Sequence, residues 1–277
     1  PEGGVQIIRV FEEGPAEQAG MEAGDIVVAV DGQDVTGMIL NEALLLIRGE
    51  AGTTVRLTVF RMEEDEMLEF SVTRERLLVP TVESEMLEDN VGYVALFQFN
   101  AIATRELRAA VEDLMNQGAE SIILDIRNNP GGFLDEAVSV ADLFLPRGIV
   151  LIERNVDGRE QTFRTRSGDI AEDVPLVVLV NENSASASEI VAAAVQDNGR
   201  GTLIGETTFG KGSVQLLYNL SDGSQLRVTY ANWYTPDDVS ISENGVEPNI
   251  VVEADEADTS ADDVQLERAL EFLQSGQ

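Results

Sequence analysis

The chain has 277 residues, enough for about two domains of ordinary size. Its 18 basic against 51 acidic residues leave a formal charge of −33, which opposes a nonspecific hold on nucleic acid or on an anionic membrane surface. With no cysteine and no histidine, disulfides, thiolate metal sites, imidazole ligands and imidazole bases are excluded, which argues against a transition-metal site; an all-oxygen calcium or magnesium site is the one metal chemistry left open.

The chain starts at Pro1 without a basic-then-apolar leader and has no apolar run of membrane-spanning length, which reads as a mature or trimmed form with no membrane insertion. Residues 1–79 alternate short β-like runs (VQIIRVF, DIVVAV, TVRLTVF, MLEFSVT) with turns such as Asp31-Gly32, around one helix, NEALLLIR. A small β-rich domain is expected there. Past Pro80 strands and helices alternate, which predicts a layered α/β domain over residues 80–277. Its expected elements are the strand GYVAL, the helix TRELRAAVEDLMNQ ended by Gly118, and the buried strand SIILDI running into RNNPGG. The helix LDEAVSVADLF, strands near Ile149 and Gly158, the buried strand PLVVLV and a helix after Ser186 follow. The β runs TLIGE, SVQLLYN and QLRVTYANWYT then lead to an acidic link over residues 253–263. The terminal VQLERALEFLQ predicts an amphipathic helix packing through Val264, Leu266, Leu270 and Leu273. No internal repeat is visible.

Without cysteine or histidine, a hydrolase built on this chain needs a serine nucleophile activated by something other than imidazole, and lysine is the leading option. The segment NENSASASE holds three serines, Ser184, Ser186 and Ser188, and residue chemistry alone does not choose among them. Ser186 sits where a buried strand hands over to a helix, so the helix dipole and free N–H groups can stabilise an oxyanion. Ser186 to Glu189 equally fits a capping box, in which the serine only ends a helix. Lys211 lies between two glycines that let the backbone bend tightly. To act as a base near neutral pH it needs local desolvation, and residues 207–214 carry no acid. Gln215, four residues on, is expected on the same side of the chain as the lysine, where it could orient it. GETTFGK matches the start of a phosphate-binding loop, but Gly212 stands where serine or threonine would hold magnesium, and that reading is rejected. The NNPGG turn, residues 128–132, offers backbone N–H groups for an oxyanion, or simply a strand-to-helix turn.

Residues 13–35, EGPAEQAGMEAGDIVVAVDGQDV, resemble the PDZ domains of bacterial envelope proteases, with the first strand and carboxylate-binding loop missing unless Gly3-Gly4 is a remnant. LDIRNNPGG, VNENSASASEIVAAAVQDNGR, GETTFGKGSVQ, SDGSQLRVTYANWYTP and GVEPNIVV together resemble the carboxyl-terminal processing peptidases, the tail-specific serine proteases. The resemblance implies a crotonase/ClpP-like α/β serine-protease core beside a small PDZ domain. It implies Ser186 as nucleophile, Lys211 as general base, Gln215 as its positioner, and the N–H groups of Gly132 and Ala187 as oxyanion hole. It also implies no cofactor, protein or peptide substrates with accessible nonpolar C-termini, an adaptor or homodimer as partner, and an extracytoplasmic location such as periplasm, cell envelope or thylakoid lumen. Family members carry an N-terminal helical region that this chain is expected to lack. The alternative reading is a noncatalytic peptide-binding scaffold of the same fold.

Overall fold

The structure is a computed structural model that describes residues 3–7, 10–11, 14–38, 40–62, 64, 66–76, 80–166, 168–219, 225–242, 244–253 and 263–275. Residues 254–262 of the acidic link lie outside the described residues, as does the side chain of Gln215. The chain divides into two compact units, Pro1–Val79 and Pro80–Gln277. Among the described residues no helix is long and apolar enough to cross a membrane.

The first unit runs β1 (Val5–Gln6), α1 (Pro15–Gln18), β2 (Ile26–Val30), β3 (Gln33–Asp34), α2 (Leu40–Ile47), β4 (Thr54–Arg61) and β5 (Glu66–Thr73). Its antiparallel sheet has the order β1-β2-β4-β5, with β3 also on β2. Asp31 and Gly32 both take positive φ, 50° and 82°, which is the two-residue turn whose twist suits the β2–β3 hairpin. Val27, Val30, Val55, Leu57 and Val59 alternate into the core. Beneath them Asp25 is buried and takes a two-pronged ion pair from Arg61, Nε to Oδ1 at 2.8 Å and Nη2 to Oδ2 at 2.9 Å. Burial alone would raise the Asp25 carboxyl, but the Arg61 bonds outweigh it and hold the group below its ordinary value.

The second unit begins with β6 (Val82–Met86), β7 (Val91–Leu96), α3 (Ala103–Gln117), β8 (Ser121–Asp125) and α4 (Leu134–Phe144). It continues with β9 (Ile149–Asn155), β10 (Glu160–Arg164), β11 (Leu176–Val180), α5 (Ala187–Asp197) and β12 (Thr202–Gly205). Last come β13 (Ser213–Asn219), β14 (Gln225–Tyr234), β15 (Ile250–Val251) and α6 (Val264–Ser275). Two sheets result. The larger has the order β15-β12-β11-β8-β7-β6 and is parallel throughout except for the antiparallel edge strand β6. The smaller is antiparallel, β10-β9-β14-β13.

Every residue of β8 and of β11 is buried, as expected of strands covered on both faces. Period-two alternation decides which face each residue serves. Ile122, Leu124, Val178 and Val180 join the core formed with α3, α4 and α5, whereas Ile123, Val177 and Leu179 face α6. In α3, Ala103, Leu107, Val111 and Leu114 fall on one buried stripe, and Gly118 at φ 101° ends the helix. Each fully buried aliphatic side chain of this kind contributes about 1.5–3 kcal/mol.

Three features differ from the sequence reading, the first being the apolar face of NEALLLIR, expected at Leu44, Leu45 and Ile47: Leu45 is 76% exposed, and Ala43, Leu46 and Ile47 pack on the core. The edge strand β6 was not anticipated because VESEM has no apolar run; its backbone pairing with β7 defines it. In α6, Leu266, Leu270 and Leu273 pack as expected, but Val264 is 36% exposed and Gln265 is buried to 2% in its place. Gln265 is there because it hydrogen-bonds across to other segments, which outweighs its polarity.

Candidate active site

Strands β8, β11 and β12 are neighbours and parallel, so the segments that leave their C-terminal ends emerge on one edge of the sheet. Those segments are RNNPGG, NENSAS and ETTFGK. Motifs far apart in sequence thus converge because of strand order alone.

The three serines separate by what their hydroxyls do. Ser184 is fully buried and donates to the Ile126 carbonyl at 2.9 Å, and Ser188, also fully buried, donates to the Asn129 carbonyl at 2.9 Å. Both tie the serine segment to the RNNPGG loop. Ser186 stands at the start of α5 with φ 59° and ψ −111°, a conformation costly for an L-residue with a side chain. It is 9% exposed. Strained residues of this kind persist only where the surroundings hold them, and here the surroundings are specific.

Asn129 is the first holder. Fully buried, it accepts at its backbone oxygen from Ala185 N–H (3.0 Å) and Ser188, accepts at Oδ1 from Gly131 N–H (2.9 Å), and donates Nδ2 to the Leu96 carbonyl (2.6 Å). The Gly131-Gly132 turn is thereby pressed onto the start of α5. A Cβ added to Gly131 would lie 2.8 Å from both Ala187 N and Ser186 Cβ, and one added to Gly132 would lie 2.1 Å from the Phe99 carbonyl oxygen. Only glycine allows this approach. The Gly131 backbone is therefore held against Ser186 and the Ala187 N–H, and that of Gly132 against Phe99.

Glu189 is the second holder. Its carboxylate, fully buried, accepts from Ser186 N–H at 2.7 Å and Lys211 N–H at 2.8 Å on Oε2, and from Thr208 Oγ1 at 2.7 Å and Gly210 N–H at 2.6 Å on Oε1. One oxygen atom thus joins the backbone of the serine to the backbone of the lysine. The Ser186 N–H bond is the carboxylate half of a capping box, so helix capping and site building are the same contact. The acid-free environment inferred for residues 207–214 is corrected here: the stretch has no acid of its own, but the fold delivers one from α5. Lys211 itself is exposed, so the local desolvation expected for it is not supplied by this structure. Gln215 lies in β13 opposite Thr229, and a register shift between Val214 and Gln215 breaks the simple alternation behind its expected orientation.

Sequence reasoning saw Glu189 only as a cap and Asn129 only as part of a turn. It also passed over a plain signal: Lys211 is the only lysine in the chain, the other seventeen basic residues being arginines.

The strained Ser186 thus lies at a strand–helix junction beside a glycine turn. The chain belongs to peptidase family S41, whose family model matches residues 90–252, and a PDZ domain model matches residues 6–61. The carboxyl-terminal-processing protease of Synechocystis sp. is 40% identical to it, over 98% of this chain and 65% of that protein. The carboxy-terminal processing protease CtpA of Bacillus subtilis is 37% identical, over 91% of this chain and 54% of that protein. The chain therefore spans between about half and two thirds of these curated relatives. Among solved structures, a photosystem II D1 C-terminal processing protease superimposes with a TM-score of 0.74 at 36% identity, covering 87% of this chain and 66% of that one.

Proposed function

We propose that the protein is a serine endopeptidase that cleaves proteins near their C-terminal tails, with Ser186 as nucleophile, Lys211 as general base, Gln215 positioning the lysine, and Gly132 and Ala187 N–H groups as oxyanion hole. The observation that carries this reading is the Glu189 carboxylate, which holds the serine and lysine backbones on one oxygen while Asn129 holds the glycine turn against them. Lys211 Nζ takes the Ser186 hydroxyl proton as Oγ bonds to the scissile carbonyl carbon. The carbonyl oxygen gains negative charge between the two N–H donors. The C–N bond then breaks, the amine leaves with the proton from Lys211, and a water deprotonated by the same lysine releases the acyl group. No metal or organic cofactor enters these steps.

The core is read as crotonase/ClpP-like, in which paired backbone donors stabilise such oxyanions. Residues 1–79 are read as a PDZ-type module that engages protein or peptide tails, and residues 80–277 as the protease core. A nonpolar tail is favoured because Phe133, beside Gly132, and Phe209, two residues before Lys211, are 59% and 65% exposed. An extracytoplasmic location, such as periplasm, cell envelope or thylakoid lumen, is part of this reading and rests on the family alone. The test is cleavage of an unfolded protein with a nonpolar C-terminal tail. Ser186→Ala should abolish it, and cleavage that survives would overturn the assignment of the nucleophile.

A further inference from the structure

Arg127 opens the RNNPGG loop, and all five N–H groups of its guanidinium are engaged. Nε donates to Asp125 at 3.0 Å, Nη1 to Asp263 Oδ1 at 2.8 Å and Gln265 Oε1 at 3.0 Å, and Nη2 to Asp125 Oδ2 at 2.6 Å and Asp263 Oδ2 at 2.7 Å. Asp125 ends β8, whereas Asp263 immediately precedes α6 and Gln265 lies in its first turn, more than a hundred residues away and on the opposite face of the sheet from α3–α5. Asp263 Oδ1 also accepts from Leu266 N–H at 3.0 Å, so the residue that caps α6 is the one that grips the loop. Gln265 continues the link by donating to the Val252 carbonyl at 2.8 Å.

The remainder of α6 is held by its apolar face through Leu266, Ala269, Leu270 and Leu273, so docking of the helix does not itself require the arginine. The Asp263 side chain is 41% exposed, and ion pairs open to solvent contribute only about 0–1 kcal/mol, so this one is weak evidence for stability and fixing a register is the better attested use of such a pair. The register at stake is that of the loop. Asn128, next to Arg127, has φ 56° and is locked to Asn181 by reciprocal bonds of 2.9 Å, and Asn129 then sets Gly131. A shift at Arg127 thus passes to the glycine turn and to the serine segment together.

We infer that Asp263, with Gln265, is a positioning element for the reaction: the start of α6 clamps Arg127 and so sets the loop that presents Gly132 to the substrate carbonyl. The inference rests on the proposed peptidase reading, and its test separates the two. Asp263→Asn keeps an acceptor for the helix cap but removes one of the two oxygens that face the arginine fork. Arg127→Lys keeps the charge and removes the fork. In the full protein, each variant should lower kcat on a peptide with a nonpolar C-terminus by about tenfold with KM within about twofold. Each should also speed amide hydrogen exchange in residues 126–133 without speeding it elsewhere in the second unit. Unchanged exchange in that loop overturns the inference, and so does faster exchange spread evenly over the unit. If the unsubstituted protein cleaves no peptide, the peptidase reading fails, while the exchange measurement still decides whether the clamp sets the loop.

Discussion

Asp25 and Glu189 are both buried carboxylates, one in each unit, and they are satisfied in opposite ways. Asp25 meets a cation, the two-pronged Arg61, at the base of a β-sheet. Glu189 meets four neutral donors, three backbone N–H groups and one hydroxyl. The ion pair fastens two points of one small sheet. The neutral cradle fastens two loops from different strands whose neighbouring side chains carry the proposed chemistry. The number of bonds does not distinguish a structural from a site-building carboxylate. What it holds together does.

The comparison can be broken most directly at Glu189. Glu189→Gln leaves one oxygen to accept and turns the other position into a donor facing N–H groups. We expect peptide cleavage to fall by about 10²-fold, with a loss of about 1–3 kcal/mol in stability. Full activity in a folded Glu189→Gln protein would remove the carboxylate from the account. Asp25→Ala should instead cost about 1–3 kcal/mol by removing the buried acceptors of Arg61, which keeps Glu22 and the Gly20 carbonyl, with the earlier melting and faster exchange confined to residues 1–79. An equal response in both units would contradict the assignment of the pair to the small sheet.

Acid sharpens the contrast. The Asp25 carboxyl titrates below its ordinary value of 3.8 in the folded unit, so its stabilisation is fully present above that value and is lost as pH falls through the lower, folded one. Melting of the first unit should therefore be flat in this contribution from neutrality to about pH 5 and drop below about pH 4, and Asp25→Ala should erase the drop. The smallest effect is that of salt. A formal charge of −33 repels itself, so raising ionic strength towards 0.15 M, where the screening length is about 8 Å, should stabilise the protein as a whole. The difference between the unsubstituted protein and Asp25→Ala should hardly change with salt, because a buried pair is poorly screened.

Much of this was legible in the sequence. Uninterrupted apolar runs announced β8 and β11, the period of α3 and its terminal Gly118 were plain, and the order of loop, serine and lysine motifs indicated the family. The different surroundings of the three serines were not legible, because they depend on carbonyls of Ile126 and Asn129 that the segment after β8 brings to Ser184 and Ser188. Nor was the second task of Glu189, since local spacing reveals a cap but not what a fold lays over it. Val264 and Gln265 exchanged their expected burial for the same reason: the partners of Gln265 are Arg127 and the Val252 carbonyl, which a helical period does not see.

The central claim is that the one lysine of the chain works by giving up and taking back a proton. Lys211→Arg tests it most directly, because arginine keeps the charge, matches every other basic residue of the chain, and cannot serve as a base. With melting unchanged, cleavage of a nonpolar-tailed substrate should fall by at least about 10²-fold. Cleavage within a few-fold of the unsubstituted protein would contradict the account, since a charge at position 211 would then suffice.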